Sequence, residues 1–180
     1  LDDLVVGFLF TGGIIDQINE IEKIEWIQSD HCEVSLKSIS KLPRISDNHI
    51  SHSACGICRF DSLEHLPVRQ SHWNEPPIPK QKFFDWANKL QLSQPQFMLS
   101  GGLHASALFS VENGLIKIRE DIGRHNSLDK LIGSLIKEKQ NNQLSNVVLL
   151  LSGRAGFELL QKAARSGIAI VAAIGAPSSL

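Results

Sequence analysis

Two continuous apolar runs near the end of the chain constrain its fold more than any other feature. Residues 147–151 and residues 168–174 are apolar throughout, as expected for strands that are buried on both faces of a sheet. Residues 157–165 between them are predicted to form a helix that ends at Ser166 and Gly167. A strand, a helix and a second strand in this order predict a parallel strand pair, and therefore a protein of the α/β class.

A β-hairpin and two helices precede this unit. Residues 80–92 and residues 125–139 show the apolar spacing of helices that cover a core. Residues 107–119 are predicted to form a hairpin, because Asn113-Gly114 is a strong signal for a tight turn between two strands. Because a hairpin, a helix, a strand, a helix and a strand follow one another, we expect a mixed sheet.

The sequence divides into a smaller N-terminal region, residues 1–79, and an α/β core, residues 80–180. In the N-terminal region, periodicity predicts a helix over residues 1–10 and one or two short strands over residues 21–39. Residues 41–79 lose this periodicity and contain five prolines. A long irregular segment inside a domain is either functional or disordered, and the paired cysteines that it contains favour a functional role.

Composition and charge exclude several classes of protein. No apolar run approaches the ~20 residues that a bilayer crossing needs. Residues 1–30 carry seven acidic side chains and one basic one, whereas residues 31–180 carry 17 basic and 12 acidic ones. This basic excess is too mild for binding duplex nucleic acid, but it suits a pocket for a phosphorylated small molecule.

The cysteine count and the chain ends point to a cytoplasmic fragment. Three cysteines, an odd number, do not make a disulfide framework, so a reducing cytoplasm is the expected location. Cys32 lies in a strand-like run and is predicted to be a small buried hydrophobic residue. Because the sequence begins at Leu1 and its single methionine is Met98, we expect a fragment that lacks both termini, with its α/β core cut short at the C-terminal end.

Cys55 and Cys58 form a C-x-x-C pair, the sharpest chemical feature of the sequence. Two thiols one turn apart allow one sulfur to attack what the other carries. One hypothesis is a sulfur carrier, in which a thiolate holds a persulfide on a loop and passes it on. A redox dithiol is a second hypothesis, although it usually follows a strand and residues 46–53 are polar.

Zinc binding and plain unreactive cysteines are the other interpretations of this pair. His49, His52, Cys55 and Cys58 repeat every three residues. Structural zinc sites normally draw two ligand pairs from separated turns, and the sequence holds no second C-x-x-C. Four ligands within ten residues would also be geometrically awkward.

Residues 119–130 form a second cluster, in which ten of twelve residues are polar or glycine. Gly123 permits close approach of the backbone to a ligand, and the helix that follows presents free N–H groups to an anion. Arg124 and Lys130 add positive charge. The alternative is a capped helix start with internal salt bridges. Three carboxylates could accept hydrogen bonds from a purine or a ribose: Glu120, Asp121 and Asp129.

A third cluster follows the first buried strand. Ser152 and Arg154 come directly after it, and ligands of open α/β sheets bind at the carboxyl ends of strands. Residues 176–179 end the neighbouring strand at the same rim, and His104, after two glycines, could form a fourth edge. Neither a P-loop nor a G-x-S-x-G turn occurs, which argues against NTP hydrolysis and a serine hydrolase.

Five segments spread from Leu1 to Leu180 together resemble the FdhD family, whose members are sulfurtransferases accessory to formate dehydrogenase. The last two segments are long enough to make a chance match improbable. In chain order the segments are LDDLVVGFLFTGGII, SACGIC, SGGLHASAL, REDIGRHNSLDKLIG and LSGRAGFELLQKAARSGIAIVAAIGAPSSL.

The resemblance implies a sulfurtransferase that takes sulfur from a cysteine desulfurase as a persulfide on the C-x-x-C loop. It implies delivery of this sulfur to the molybdenum of a bis(molybdopterin guanine dinucleotide) cofactor, so that formate dehydrogenase becomes active. Cys55 would carry the persulfide, and Cys58 would be its relay or resolving thiol. A cytoplasmic homodimer is expected, with no metal bound directly by the protein and with neither nucleic acid nor membrane as a partner.

The GDP-like ends of that cofactor would meet the polar clusters described above. The cofactor-binding residues expected on this basis are His104, Glu120, Asp121, Gly123, Arg124, His125, Asn126, Lys130, Ser152, Gly153, Arg154, Pro177 and Ser178.

The family's core is similar to the cytidine deaminase fold, in which H-x-E and P-C-x-x-C motifs build a zinc site. Here His125-Asn-Ser127 and Ser152-Gly-Arg154 stand in their places. The glutamate and both thiol ligands are gone, so deamination is excluded and the pocket is expected to hold polar groups instead. Two alternatives to sulfur transfer are a non-catalytic chaperone for a cofactor or guanine nucleotide, with a structural or zinc-binding C-x-x-C, and a redox switch.

Overall fold

The computed structural model describes residues 1–38, 72–73, 76–139, 144 and 146–176. Within these ranges no helix is long and apolar enough to cross a membrane. The helices and strands are α1 Asp2–Thr11, β1 Ile21–Trp26, β2 Cys32–Leu36, α2 Lys80–Leu92, α3 Pro95–Ser100, β3 His104–Ser110, β4 Gly114–Asp121, α4 Arg124–Lys137, β5 Val148–Leu151, α5 Phe157–Arg165 and β6 Ile170–Ala173.

The main sheet has the strand order β4-β3-β5-β6. β3 pairs antiparallel with both β4 and β5, and β5 pairs parallel with β6. β1 and β2 form a separate antiparallel pair. The mixed sheet and the parallel pair predicted from the two apolar runs are therefore confirmed.

Alternate residues of β3 build two apolar cores on opposite faces of the sheet, as the period of a strand requires. Leu108 points to the larger core, which includes α1, α4 and α5. Ala107 and Phe109 point to the smaller core under α2. There the Trp86 ring stacks on Phe109, with the ring centroids 5.4 Å apart. Helices cover both faces, which explains why β5 is apolar at every position.

α1 and α4 cross with their backbones in close contact at two glycines. A Cβ atom on Gly7 would lie 1.8 Å from the carbonyl oxygen of Asp129, and one on Gly133 would lie 1.9 Å from that of Asp3. Real Cβ atoms do not approach that closely, so neither position accepts a larger residue without moving a helix. α1 thus belongs to the same core as residues 80–180, and the division at residue 79 stays a prediction.

Four local features differ from the sequence predictions. β6 is half-buried at every position and not buried as predicted, because it is the last strand of the described sheet and pairs only with β5. α3 was not predicted, because it is only six residues long and its apolar side chains Met98 and Leu99 are exposed. β3 begins at His104 rather than at residue 107, since Ala105 and Ser106 are small enough to be buried in the sheet. Cys32 is half-buried at the start of β2 rather than buried.

Candidate functional site

The polar clusters predicted from the sequence meet at one edge of the main sheet, here called the polar edge. It consists of the amino end of β3 and the carboxyl ends of β4 and β5. Because β3 runs antiparallel to both neighbours, its first residues lie beside their last ones. The register pairs His104 with Asp121 and Ser106 with Leu151. Ligands of α/β sheets bind at such carboxyl ends.

Ser152 and Gly153 connect β5 to the start of β3. Ser152 Oγ accepts a 2.8 Å hydrogen bond from the backbone N–H of Ala105, and the N–H of Ser152 donates to the carbonyl of Ala105 at 3.0 Å. A Cβ atom on Gly153 would lie 3.0 Å from Nδ1 of His104. The glycine therefore leaves room for the imidazole. His104 and Ser152 line a cavity of about 350 Å³ together with Phe97.

The turn after β4 is held by ion pairing and by its own backbone. Asp121 Oδ1 accepts a 2.9 Å hydrogen bond from the N–H of Gly123, and its other oxygen pairs with Lys130. Burial raises the pKa of Asp121, but the bonds from Lys130, Gly123 and Asn126 outweigh burial, so this pKa lies below its ordinary value. The internal salt bridge that the sequence left open as an alternative is present here.

Glu120 caps a helix that the sequence did not reveal. Its two carboxylate oxygens accept hydrogen bonds from the backbone N–H groups of Gln96, at 3.2 Å, and Phe97, at 2.8 Å. Both donors belong to the first turn of α3, where N–H groups lack helical partners. Glu120 also lines a second cavity, of about 450 Å³, with Arg119 and Lys130.

Two successive pairs of polar side chains join α4 to α5. His125 and Asp129 are four residues apart on α4, as are Glu158 and Lys162 on α5, so each helix presents both of its members on one face. Nε2 of His125 lies 3.4 Å from Oε2 of Glu158, and Lys162 Nζ donates to Oδ2 of Asp129 at 2.6 Å.

The Asp129–Lys162 pair is sealed inside the protein. The side chains of Asp129 and Lys162 are 2% and 5% exposed, and Thr11 of α1 donates a 2.7 Å hydrogen bond to Oδ1 of Asp129. The Asp129 carboxylate therefore stabilises the packing of α1 and α5 against α4. The expectation that Asp129 accepts from a purine or a ribose is wrong, because α1 and α5 cover it.

The His125–Glu158 pair lies at the polar edge and is less completely enclosed. Burial lowers the pKa of His125, and the positive charges of Arg124 and Lys162 lower it further. The carboxylates of Glu158 and Asp129 act in the opposite sense, and the net result lies below the ordinary histidine value. His125 is therefore neutral at neutral pH. Glu158 was not predicted, since nothing in the sequence relates it to a residue 33 positions earlier.

Some of the remaining predicted residues lie at the polar edge, and the others lie outside the described residues. Arg154 and Asn126 are exposed at the polar edge, and Arg124 is half-buried there. Over the described ranges no three His, Cys, Asp or Glu side chains are grouped so that they could hold a metal ion. The candidates that lie outside the described residues are Cys55, Cys58, Pro177, Ser178 and the two further zinc candidates His49 and His52.

Taken together, the fold and the polar edge define a mixed α/β protein whose sheet ends in a cluster of basic, acidic and backbone polar groups. A family model described as the FdhD/NarQ family matches residues 1–180. The chain belongs to this family, and the resemblance drawn from the sequence motifs is confirmed.

Similar proteins agree with this assignment. The sulfur carrier protein FdhD of Saccharolobus solfataricus is 36% identical over 178 residues, which are 99% of this chain and 67% of the relative. That of Thermoplasma acidophilum is 37% identical over 182 residues, 98% of this chain and 64% of the relative. This chain thus spans about two thirds of the length of these relatives.

A solved structure has the same fold. The crystal structure of a formate dehydrogenase accessory protein from Desulfotalea psychrophila matches with a TM-score of 0.70 at 24% sequence identity. The match covers 100% of this chain and 66% of that one.

Proposed function

We propose that this chain is a sulfurtransferase that accepts persulfide sulfur from a cysteine desulfurase and passes it to molybdenum in the bis(molybdopterin guanine dinucleotide) cofactor of formate dehydrogenase. The observation that carries this proposal is the family match over the whole chain, to relatives named sulfur carrier proteins, combined with the C-x-x-C pair. In this proposal the molybdenum cofactor is the substrate that receives sulfur.

The first step is an exchange between sulfur atoms. The Cys55 thiolate attacks the terminal sulfur of the donor's persulfide, a new S–S bond forms, and the donor's S–S bond breaks to release a thiolate. No net oxidation occurs, because one S–S bond replaces another. Cys58 is assigned the role of relay or resolving thiol, which its spacing from Cys55 permits. As the resolving thiol, Cys58 attacks Sγ of Cys55, so that a Cys55–Cys58 disulfide forms, the persulfide S–S bond breaks and the outer sulfur leaves as sulfide for molybdenum.

The polar edge is assigned to the guanine nucleotide ends of the cofactor. Arg124 and Arg154 supply positive charge there, and a third basic side chain, Lys130, is paired with Asp121. α4 begins at Arg124 with its amino end toward this edge. The amino end of a helix favours anions. Gly123 and Gly153 leave room at this edge for the Asn126 side chain and the His104 imidazole. These features support the binding of a phosphorylated ligand and fit the basic excess of residues 31–180.

Intact mass spectrometry tests the transfer of sulfur to Cys55. The reduced protein is incubated with a cysteine desulfurase and free cysteine, as wild type and as the Cys55→Ala, Cys58→Ala and Cys32→Ala variants. We expect one added sulfur atom on the wild type, its loss on mild reduction, and its absence from Cys55→Ala. Cys32→Ala is the matched control, and it should gain sulfur as the wild type does.

Folded, reduced wild-type protein that gains no sulfur would contradict the proposal. The chaperone alternative would then be favoured, since the polar edge could bind a guanine nucleotide without any transfer. Stoichiometric zinc that is lost in Cys58→Ala would support a structural C-x-x-C. The homodimer implied by the family remains part of the proposal, and sedimentation of the purified chain tests it.

A further inference from the structure

The His125–Glu158 pair contains a ring nitrogen whose surroundings determine where its proton lies. Nε2 of His125 is fully buried and makes no hydrogen bond to any described residue. Oε2 of Glu158 lies 3.4 Å from it, and the two side chains are 23% and 14% exposed.

A neutral imidazole carries one N–H group and one lone pair, and its surroundings decide which nitrogen has which. A lone pair on Nε2 would face a carboxylate oxygen, so two acceptors would oppose each other in a buried place, which is costly. The proton therefore belongs on Nε2 of His125. The side chain is 23% exposed and Nε2 is buried, which leaves Nδ1, with the lone pair, as the ring nitrogen for a ligand.

We propose that Glu158 is a positioning residue: it holds the proton of His125 on Nε2 and so presents Nδ1 to the polar edge as a hydrogen-bond acceptor. The group it would receive is an N–H or O–H donor of a nucleotide, such as a ring N–H of guanine or a ribose hydroxyl. The ligand half of this inference rests on the proposed function, whereas the tautomer does not.

The neighbouring charges are consistent with a neutral ring. The groups that act on His125 from α4 are Arg124 and Asp129, and those from α5 are Glu158 and Lys162. Burial together with the two cations outweighs the two carboxylates and keeps the pKa below the ordinary value. Removing the Glu158 charge should lower this pKa further, because its carboxylate favours the protonated ring.

Nitrogen NMR of the protein labelled with ¹⁵N-histidine tests the tautomer directly. The His125 signals are identified by their loss in His125→Asn. At neutral pH we expect the wild type to show a proton on Nε2 and none on Nδ1. Glu158→Gln, whose amide can donate as well as accept, should shift the ring toward a mixture of tautomers and make it titrate at lower pH. Glu112→Gln, at an exposed turn between β3 and β4, should change neither.

A wild-type His125 that carries its proton on Nδ1, or that is fully charged at neutral pH, would overturn the inference. An unchanged tautomer in folded Glu158→Gln would overturn the role of Glu158. The wild-type measurement decides the first point even if the variant fails to fold.

Binding of GDP tests the acceptor role with a matched pair of substitutions. His125→Asn places an amide oxygen near the position of Nδ1, whereas His125→Leu has nearly the same shape and no acceptor. We expect roughly three- to tenfold weaker GDP binding for His125→Leu and recovery in His125→Asn, as the loss of one hydrogen bond predicts. Equal binding by both variants and the wild type would refute the acceptor role.

The two proposals fail in different ways. If the wild type shows the Nε2–H tautomer but binds no GDP, then the nucleotide role assigned to the polar edge under the proposed function is wrong and the positioning by Glu158 stands. If GDP binds and the tautomer is the other one, the nucleotide role assigned to the polar edge stands and this inference is wrong.

Discussion

The two polar pairs between α4 and α5 are one helical turn apart, yet they serve different purposes. Asp129 and Lys162 are almost fully buried, and Thr11 also donates to this carboxylate. His125 and Glu158 retain more exposure, and Nε2 of His125 lacks a short hydrogen bond. A buried polar group that is fully partnered stabilises one conformation. The less enclosed His125–Glu158 pair is instead the one proposed to meet a ligand, through Nδ1 of the ring.

Removing Asp129 should have the largest effect on stability. Asp129→Ala leaves the Lys162 ammonium buried without its partner, and we expect a loss of about 3–5 kcal/mol in the free energy of unfolding. Urea unfolding measures this. Glu158→Gln, one turn away, is the matched comparison and should cost less than about 1 kcal/mol, because glutamine keeps an acceptor oxygen and the neutral His125 is not left as an unpaired buried charge.

The Asp129→Leu/Lys162→Met double variant refines the same comparison. Replacing a buried pair by apolar residues of similar volume is often nearly neutral, so the double variant should recover most of the loss. If Asp129→Ala and Glu158→Gln destabilise the protein equally, the distinction between a sealed pair and an open one is wrong.

Adding a methyl group where α1 and α4 cross should have the second largest effect on stability. Gly133→Ala forces the helices apart, because its Cβ would meet the carbonyl oxygen of Asp3. We expect about 1–3 kcal/mol of destabilisation, as for other overpacked cores. Gly102→Ala is the control, since the nearest atom to its Cβ would be 3.9 Å away. Thermal unfolding of both variants measures the difference, and equal melting temperatures would contradict the close packing.

Several of these features were predictable from local pattern. The apolar runs on either side of residues 157–165 predicted β5, α5 and β6. β5 is buried at every position, as a strand covered on both faces should be, whereas the edge strand β6 is only half-buried. The Asn113-Gly114 turn predicted the hairpin of β3 and β4. The polar clusters then had to meet, since the ends of neighbouring strands share an edge.

What the sequence did not predict depends on contacts between distant residues. Asp129 looked like a ligand-binding acid because its partners, Thr11 and Lys162, lie 118 and 33 residues away. Glu158 was not predicted as a site residue, because only the packing of α5 on α4 brings it to His125. Such pairs depend on tertiary packing, and the periodicity of apolar residues along the sequence does not predict which distant side chains meet.

Acid should weaken the polar edge through Asp121. The pKa of Asp121 is lower in the folded protein than its ordinary value of 3.8, so its contribution is complete above 3.8 and is lost as the pH falls through the folded value. Asp121→Asn should therefore be less stable than the wild type near neutral pH, and the difference should shrink in acid. Urea unfolding midpoints of both proteins, measured from neutral pH down into acid, test this prediction. A difference in stability between Asp121→Asn and the wild type that does not change with pH would contradict the pairing with Lys130.

The smallest effect on stability should come from Arg154→Ala. Arg154 is exposed, so we expect a change within about 0.5 kcal/mol in the free energy of unfolding. GDP binding should nevertheless weaken, and the difference from the wild type should shrink at high salt, because exposed charges are screened. Calorimetric titration at two salt concentrations measures this. Unchanged binding at low salt would remove Arg154 from the polar edge's ligand site.

A sulfur chase tests the central claim most directly. The protein is loaded with radiolabelled sulfur by a cysteine desulfurase, purified, and mixed with formate dehydrogenase that lacks its molybdenum-bound sulfur. We expect label to leave the wild-type chain, to appear on the formate dehydrogenase cofactor, and to restore formate oxidation, with no transfer from Cys55→Ala. Label that stays on the loaded wild-type protein while formate dehydrogenase remains inactive would contradict the sulfur-transfer account.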